Sequence, residues 1–262
     1  MFARDDFESM VLSLAKNISI TAVAKMYVGL LVVDPGESGA YSEISYTGYT
    51  RQEITFTEPT AGTGSHSIQN TAIITFPECH ESAGTVTHIG IFGSPNPNTG
   101  TMYLYGDLDE DIVVNSGVSP VFQAGSIKYT LSGKIGSTWR QRILNFFRGN
   151  AITGFVPYFG CANADIETAG GTEFTGGSYA RVQIPFSTPA TLDSGGAMEI
   201  HNSSSIVTPY ATAQWGEWYN TIVFDAQTGG NIFYSSPRSQ RNIIYKGGAC
   251  GYEEGNLVLT LN

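Results

Sequence analysis

The sequence is poor in charged residues, which make up 14% of its 262 positions, whereas globular proteins commonly carry about 25%. Only 13 residues are basic, and the formal net charge is −10. A surface that binds nucleic acid needs lysine and arginine to replace the counterions of the phosphates. The composition therefore predicts that nucleic acid is not a partner.

Long apolar runs and a leader pattern are missing as well. No stretch of about 18 apolar residues is available to cross a bilayer. The first six residues, Met-Phe-Ala-Arg-Asp-Asp, are acidic where a signal peptide is basic and then apolar. We expect a soluble protein that is made in a cytoplasm and has no membrane partner.

Cysteine is scarce and its three positions, Cys79, Cys161 and Cys250, are widely spaced. An odd number at such spacing is not a disulfide framework. We expect reduced, structural thiols. Cys161 and Cys250 both lie in the second half and are candidates for spatial neighbours, and the sequence leaves open whether they pair.

Glycine, in contrast, is abundant, with 31 residues, or about 12% against a usual 7% or so. Short strand-like runs alternate with clusters of Gly, Pro, Asn and Ser. In the first half these runs cover residues 26–33, 51–56, 72–76, 86–92, 102–105 and 127–131. No helix pattern separates successive runs, as a parallel sheet requires. The pattern predicts an all-β fold of antiparallel sheets.

The sequence repeats itself at a period close to half its length. Segment 49–59 returns as 179–189, and other matches follow in the same order. The pairs are Tyr49/Tyr179, Arg51/Arg181, Ile54/Ile184, Phe56/Phe186, Pro59/Pro189, Asn70/Asn202, Pro77/Pro209, Gly84/Gly216, Phe92/Phe224, Gly117/Gly247, Gly125/Gly255 and Leu131/Leu261. Constant order with a nearly constant offset indicates a tandem duplication of one domain-sized unit.

Each half opens with a short amphipathic stretch. Phe7, Met10, Val11 and Leu14 share one helical face, and Trp139, Ile143, Phe146 and Phe147 repeat the pattern. We therefore predict two tandem antiparallel β-sandwich, jelly-roll-like domains, each preceded by a short α-helix. The first unit covers residues 1–132, a linker covers 133–137, and the second, diverged unit covers 138–262.

Several short motifs occur in a fixed order in the first unit. They are Tyr-Val-Gly-Leu at 27–30, Asp-Pro-Gly-Glu at 34–37, Gly-Tyr-Thr-Arg at 48–51 and Gly-Thr-Val-Thr-His-Ile-Gly-Ile-Phe at 84–92. This order resembles a family of small bacteriophage virion proteins, described as tail-fibre or minor structural proteins, that carry one such unit. The resemblance spans nearly all of the first half and weakens in the loops of the second. It implies a non-enzymatic β-rich component of a phage particle.

Two groups of residues have the types needed for chemistry. Residues 78–81, Glu-Cys-His-Glu, with His88 nearby, offer metal ligands, but no second Cys or His pair completes a zinc site and the repeat has no ligand there. Glu43, Glu53, Glu173 and Glu217 offer carboxylates for glycoside hydrolysis, but Glu43 and Glu173 are equivalent positions in different units. We expect no metal, no cofactor and no catalytic residue.

A contrast in charge between the units is the strongest sign of a contact. The acidic stretch, residues 107–111, contains Asp107, Asp109, Glu110 and Asp111, whereas its counterpart in the second unit contains Arg238 and Arg241. We expect either a solvated acidic loop, with calcium as a lesser option, or two complementary loops that meet. That meeting lies within the chain or head to tail between neighbouring subunits.

Trp215 is the candidate for an exposed aromatic anchor, because its counterpart Ala83 lies beside a turn glycine, whereas Trp218 aligns with the strand residue Val86. Together these features predict a virion structural protein of the tail, neck, baseplate or head decoration. It acts through contacts with other virion proteins in a symmetric homo-oligomer, a ring or similar array. The alternative is a receptor- or carbohydrate-binding module that recognises a host-surface glycan.

Overall fold

The computed structural model describes residues 1–191 and 197–261. Two short α-helices, α1 (Asp5–Ser13) and α2 (Ser137–Phe146), open the two units. Arg4 and Gly136 are the residues that precede them, and neither provides a side-chain cap, although the Ser137 N–H of α2 donates to the Glu167 carboxylate at 2.8 Å. The helices are held instead by burial of one face, which in α1 contains Phe7, Val11 and Leu12. No helix in the described part of the chain is long and apolar enough to span a membrane.

Strands make up most of the rest, which confirms the predicted all-β class. In the first unit they are β1 (Phe2–Ala3), β2 (Met26–Leu31), β3 (Gln52–Ile54), β4 (Thr60–Gly62), β5 (Ser65–Gln69), β6 (Ile74–Thr75), β7 (Gly84–Phe92), β8 (Met102–Val114), β9 (Val121–Phe122) and β10 (Lys128–Ser132). In the second they are β11 (Tyr158–Ala162), β12 (Val182–Gln183), β13 (Ala190–Thr191), β14 (Met198–His201), β15 (Ile206–Val207), β16 (Gly216–Phe224), β17 (Ile232–Ile244), β18 (Gly251–Tyr252) and β19 (Val258–Leu261).

The two units have the same antiparallel topology. The larger sheet has the order β3-β2-β7-β8-β1 in the first unit and β12-β11-β16-β17 in the second, where an isolated bridge from Ile135 replaces β1. The smaller sheet is β10-β5-β4 and then β19-β14-β13, and a two-stranded pair, β6-β9 or β15-β18, completes each unit. The duplication read from the sequence is therefore a duplication of strand order and pairing.

The units share one hydrophobic core because each helix packs on the other unit. Helix α1 contacts β14 and β19, and helix α2 contacts β5 and β10. Phe7 of α1 stacks on Phe146 of α2 with ring centroids 5.5 Å apart. The equivalent residues Ile20 and Ile152 pair with each other, with backbone N–H···O distances of 2.8 and 2.9 Å. Pairing of a residue with its own counterpart gives the molecule an approximate twofold relation.

The longest strands, β8 and β17, lie at the open edge of their sheets. A short segment covers the first part of each: β1 pairs with Leu104 and Tyr105, and Ile135 forms an isolated bridge to Tyr234. The adjoining backbone takes part as well, since the Arg4 N–H donates to the Tyr103 carbonyl at 3.0 Å and the Ser235 N–H donates to the Lys134 carbonyl at 2.8 Å. From Asp107 of β8 and Pro237 of β17 onward, the described strands pair with their inner neighbours, β7 and β16. The outer edge of each long strand is therefore available to a partner.

Candidate functional site

The repeated Tyr and Arg motifs build a buried ionic network in each unit. The Arg51 Nε lies 3.1 Å from both Glu43 oxygens, and the Tyr49 hydroxyl donates to Glu43 at 2.9 Å. The guanidinium also lies 3.4 Å from the ring centroid of Phe92. Burial raises the pKa of the Tyr49 phenol. Two buried charges are tolerated here because each is paired and hydrogen-bonded.

The second unit repeats this network. Arg181 donates to the two Glu173 oxygens at 2.7 Å each, and the Tyr179 hydroxyl donates to Glu173 at 2.9 Å. The Arg181 guanidinium lies 3.2 Å from the ring centroid of Phe224. Glu43 and Glu173 are therefore each held by the arginine of their own unit.

The other two carboxylates considered for hydrolysis also have cations of their own. Glu53 pairs with Lys25 at 2.6 Å, and Glu217 lies 3.9 Å from Arg241. Glycoside hydrolysis needs two carboxyls on opposite sides of one bond. The arrangement found here instead gives each carboxylate a local structural partner.

The Glu-Cys-His-Glu segment does not gather its side chains around one point. Cys79 is buried and its Sγ donates to the Glu81 carbonyl at 3.0 Å, whereas the His80 side chain is 73% exposed. His88 lies on β7, where its Nε2 is 2.8 Å from Asp107. Among the described residues, no group of three or more His, Cys, Asp or Glu side chains is arranged to hold a metal ion.

Cys161 and Cys250 are neighbours in the core. Both are buried free thiols, close enough for Cys250 to affect the ionisation of Cys161. Burial, reinforced by Cys250, raises the pKa of the Cys161 thiol. Thiols in such surroundings are weak nucleophiles, so the pair is a packing feature of the second unit.

The acidic stretch lies within strand β8, which corrects the expectation of a loop. Its pairing with β7 shifts where Val86 lies opposite Ile112 but His88 lies opposite Asp107. Two steps along β7 therefore match five along β8, and three extra residues form a bulge. Asp107 contacts His88, while Asp109, Glu110 and Asp111 are exposed, with no ion pair among the described residues.

The basic stretch, residues 236–241, forms the equivalent bulge of strand β17. Trp218 lies opposite Asn242 and Asn220 lies opposite Pro237, which is the same two-to-five mismatch. The two arginines differ in their surroundings. Arg238 is half-buried with its guanidinium 3.6 Å from the ring centroid of Trp218, whereas Arg241 is exposed over Tyr219 at 4.1 Å.

The structure does not join the two stretches within one chain. In the described part of the chain, Arg241 has Glu217 as its ionic neighbour, and no salt bridge links either arginine to the acidic stretch. The stretches lie at equivalent places on two open sheet edges, with opposite charge. The sequence predicted a contact either within the chain or head to tail between subunits. The head-to-tail contact stays a prediction.

Trp215 is half-buried, which corrects the expectation of an exposed anchor. Its Nε1 donates to the Gly177 carbonyl at 3.0 Å, and its ring packs edge-on against Tyr179 with centroids 5.2 Å apart. A second contact joins it to Phe174. The indole thus closes the end of the core. Trp218 is buried, as its alignment with Val86 predicts.

A cavity of about 360 Å³ lies where the chain start, the inter-unit connection and the last strand meet. Glu8 of α1 lines it, is only 3% exposed and accepts a hydrogen bond from the Met198 backbone at 3.3 Å. Burial raises the pKa of Glu8 to about 7. Sequence reasoning missed this group. Its only signal was an acidic residue one position after Phe7 on the predicted helix.

The described structure therefore has opposite charges on two equivalent strand edges, a buried Arg–Glu pair in each unit, and no group of His, Cys, Asp or Glu side chains arranged to hold a metal ion. A family model described as podophage GP4 fiber I protein gp80 matches the chain twice, over residues 7–130 and 134–260. The matches cover nearly the whole sequence, so the chain belongs to this phage fibre protein family. The predicted kind of protein, a structural component of the bacteriophage particle, is confirmed. A comparison with curated proteins gives no match.

Proposed function

We propose that this chain is a non-enzymatic structural subunit that assembles head to tail with copies of itself and contacts other virion proteins. The observation that carries the proposal is the pair of equivalent bulges with opposite charge. Asp109, Glu110 and Asp111 extend from one open edge and Arg241 from the other. Because the sign differs between two copies of one fold, the fold alone does not set it.

The contact is made by side chains rather than by strand addition. Both edges have bulges, and β17 also has Pro237, which lacks a backbone N–H. Bulges, charges and proline on an edge strand prevent edge-to-edge hydrogen bonding. The opposite charges then set partner choice and register.

The geometry of such a contact is heterologous, because one patch meets a different patch on the next copy. A repeated heterologous contact closes into a ring when its rotation allows and otherwise forms a filament. We place the subunit in a closed, symmetric part of the particle, such as the tail, neck, baseplate or head decoration.

Charge reversal with complementation tests this assembly. One variant carries Asp109→Lys with Asp111→Lys, and the other carries Arg241→Glu. Arg241 is the better probe, since Arg238 stacks on buried Trp218 and its replacement also disturbs packing. Each variant alone is expected to dissociate to subunits, because like charges then meet. Their equimolar mixture is expected to reassemble with alternating subunits, as measured by light scattering after size exclusion.

A matched control carries the same charge reversal away from both stretches, at exposed Lys128 of β10. Lys128→Glu is expected to assemble like the wild type, and raised salt is expected to weaken wild-type assembly. A monomeric wild type, unchanged oligomers in both charge variants, or a mixture no larger than its components contradicts the proposal.

The second candidate function is recognition of a receptor on the host surface. Half-buried Trp215 is not the exposed platform for it. A different observation favours this candidate, namely exposed aromatic side chains at the tip of the second unit.

A further inference from the structure

Two tyrosines are exposed on adjacent turns at one tip of the second unit. Tyr210 is 71% exposed and Tyr245 is 60% exposed. Two backbone hydrogen bonds hold these turns together. The Ala211 N–H donates to the Gly248 carbonyl at 2.8 Å, and the Gly247 N–H donates to the Ala211 carbonyl at 2.7 Å. Tyr245 itself closes the second turn through its carbonyl, which accepts from Gly248 at 2.9 Å.

The first unit has the same turns without the aromatic side chains. There the backbone N–H of Cys79 donates to the Val118 carbonyl at 2.9 Å, and the Gly117 N–H donates to the Cys79 carbonyl at 2.7 Å. This is the same pattern. The residues at the two tyrosine positions are Glu78 and Asn115. The turn therefore forms equally well with polar residues, and the fold does not explain two large exposed rings.

The surroundings of the rings combine apolar and polar groups. Val207 of β15 and Ile243 of β17, which lie three and two residues before the tyrosines in the sequence, are also exposed. The exposed side chains of Thr212, Gln214 and Lys246 lie on the same two turns. Aromatic faces flanked by hydrogen-bonding groups match a sugar ring, which has an apolar C–H face and a rim of hydroxyls.

The size of the surface favours a small ligand over a protein. A fully buried tyrosine removes roughly 150–250 Å² from water, so two partly exposed rings offer a few hundred Å² at most. A stable protein partner covers about 800 Å² on each side. A short oligosaccharide fits a surface of the smaller size.

We propose that Tyr210 and Tyr245 form a tyrosine tip that binds a short oligosaccharide of the bacterial surface by stacking. This deepens the second candidate function and rests on it, and it is independent of the charged bulges. The equivalent turns of the first unit carry Glu78 and Asn115 in place of the tyrosines, so the described residues contain the tip in the second unit.

Replacing each tyrosine with the residue that the first unit has there tests the tip while preserving the turn. The double variant carries Tyr210→Glu and Tyr245→Asn. The probe is a panel of purified O-antigen and capsular oligosaccharides, and binding is measured by glycan array and then by titration calorimetry. The wild type is expected to bind some oligosaccharides of the panel. The double variant is expected to bind the same oligosaccharides roughly tenfold or more weakly.

A matched control makes the same exchange at an exposed apolar residue outside the tip. Ile73 is 58% exposed, and its counterpart is Ser205. Ile73→Ser is expected to bind like the wild type. The proposal is overturned if the wild type binds no oligosaccharide of the panel, or if the double variant binds as tightly as the wild type. Loss of assembly in the double variant also overturns it, since the tip is then a protein contact. The charge variants test head-to-tail assembly separately, because they leave Tyr210 and Tyr245 unchanged.

Discussion

At the scale of single residues, the comparison of the two units separates what the fold requires from what it allows. Glu43, Tyr49 and Arg51 have equivalents with the same contacts in the second unit. Residues kept in both copies are therefore structural. Glu78 and Asn115, replaced by Tyr210 and Tyr245, are positions that the fold leaves free.

Glu8 gives a residue-scale prediction about pH. Its pKa is about 7 in the folded protein, against 4.5 when solvated. The folded state thus holds a proton that the unfolded state releases above pH 4.5. The free energy of unfolding is therefore expected to fall as the pH rises from 4.5 to about 7, and this contribution stays constant at higher pH.

The variant Glu8→Gln removes this dependence. It is expected to unfold with a higher free energy than the wild type at pH 8, by up to about 3 kcal/mol, and with a similar one at pH 4. Urea denaturation across this range measures the difference. The control Glu53→Gln changes an exposed carboxylate and is expected to keep the wild-type slope. An unchanged slope in Glu8→Gln contradicts the assignment.

At the scale of secondary structure elements, the sequence located most strands but misjudged the longest ones. Only residues 102–105 show the strand pattern, yet β8 extends to Val114. Asp and Glu are depleted in strands, so a run of four acids in five residues indicates a loop. An edge strand tolerates that run because its outer side faces water.

The bulge of β8 supports a prediction about aggregation. Deleting residues 109–111 removes the three extra residues, so that His88 to Val86 then pair regularly with β8. The edge becomes continuous and loses three negative charges. We expect irregular self-association, seen as polydisperse light scattering and reduced solubility, because flat edge strands pair with each other.

A second variant separates the bulge from its charge. Replacing residues 109–111 with Ser-Gln-Arg, as found at 239–241, keeps the length of the bulge. This variant is expected to stay free of irregular aggregates, although it loses the head-to-tail contact. If the deletion variant is as monodisperse as the wild type, the bulge is not what protects the edge.

At the scale of the whole molecule, the exchange of helices makes the two units depend on each other. Helix α1 packs on β14 and β19, so a chain that ends at residue 132 loses these contacts and the stacking of Phe7 on Phe146, and keeps those with its own unit, such as Phe7 with Tyr103. Burial of apolar side chains is the main stabilising contribution to folding. The boundaries 1–132, 133–137 and 138–262 therefore describe repeated units of sequence, and we propose that these units unfold together.

Expression of the halves tests this dependence. Residues 1–132 alone are expected to lack a cooperative thermal transition, whereas co-expression with residues 133–262 is expected to give a stable complex of both halves. Near-ultraviolet circular dichroism and size exclusion measure the two results. The full chain is expected to unfold in a single transition. A cooperative transition in the isolated first half contradicts the proposal.

The sequence by itself determined the all-β class, the duplication, the two opening helices and the family of phage fibre proteins. These follow from local periodicity, turn residues and motif order, which depend only on neighbours along the chain. Tertiary structure decided the rest: that Glu43 and Arg51 neutralise each other, that Trp215 is covered, that the opposite charges lie on equivalent bulges, and that α1 belongs to the core of the other unit. The reason is that burial, pairing and exposure depend on residues far apart in sequence, and their positions are fixed only when the sheets and helices pack.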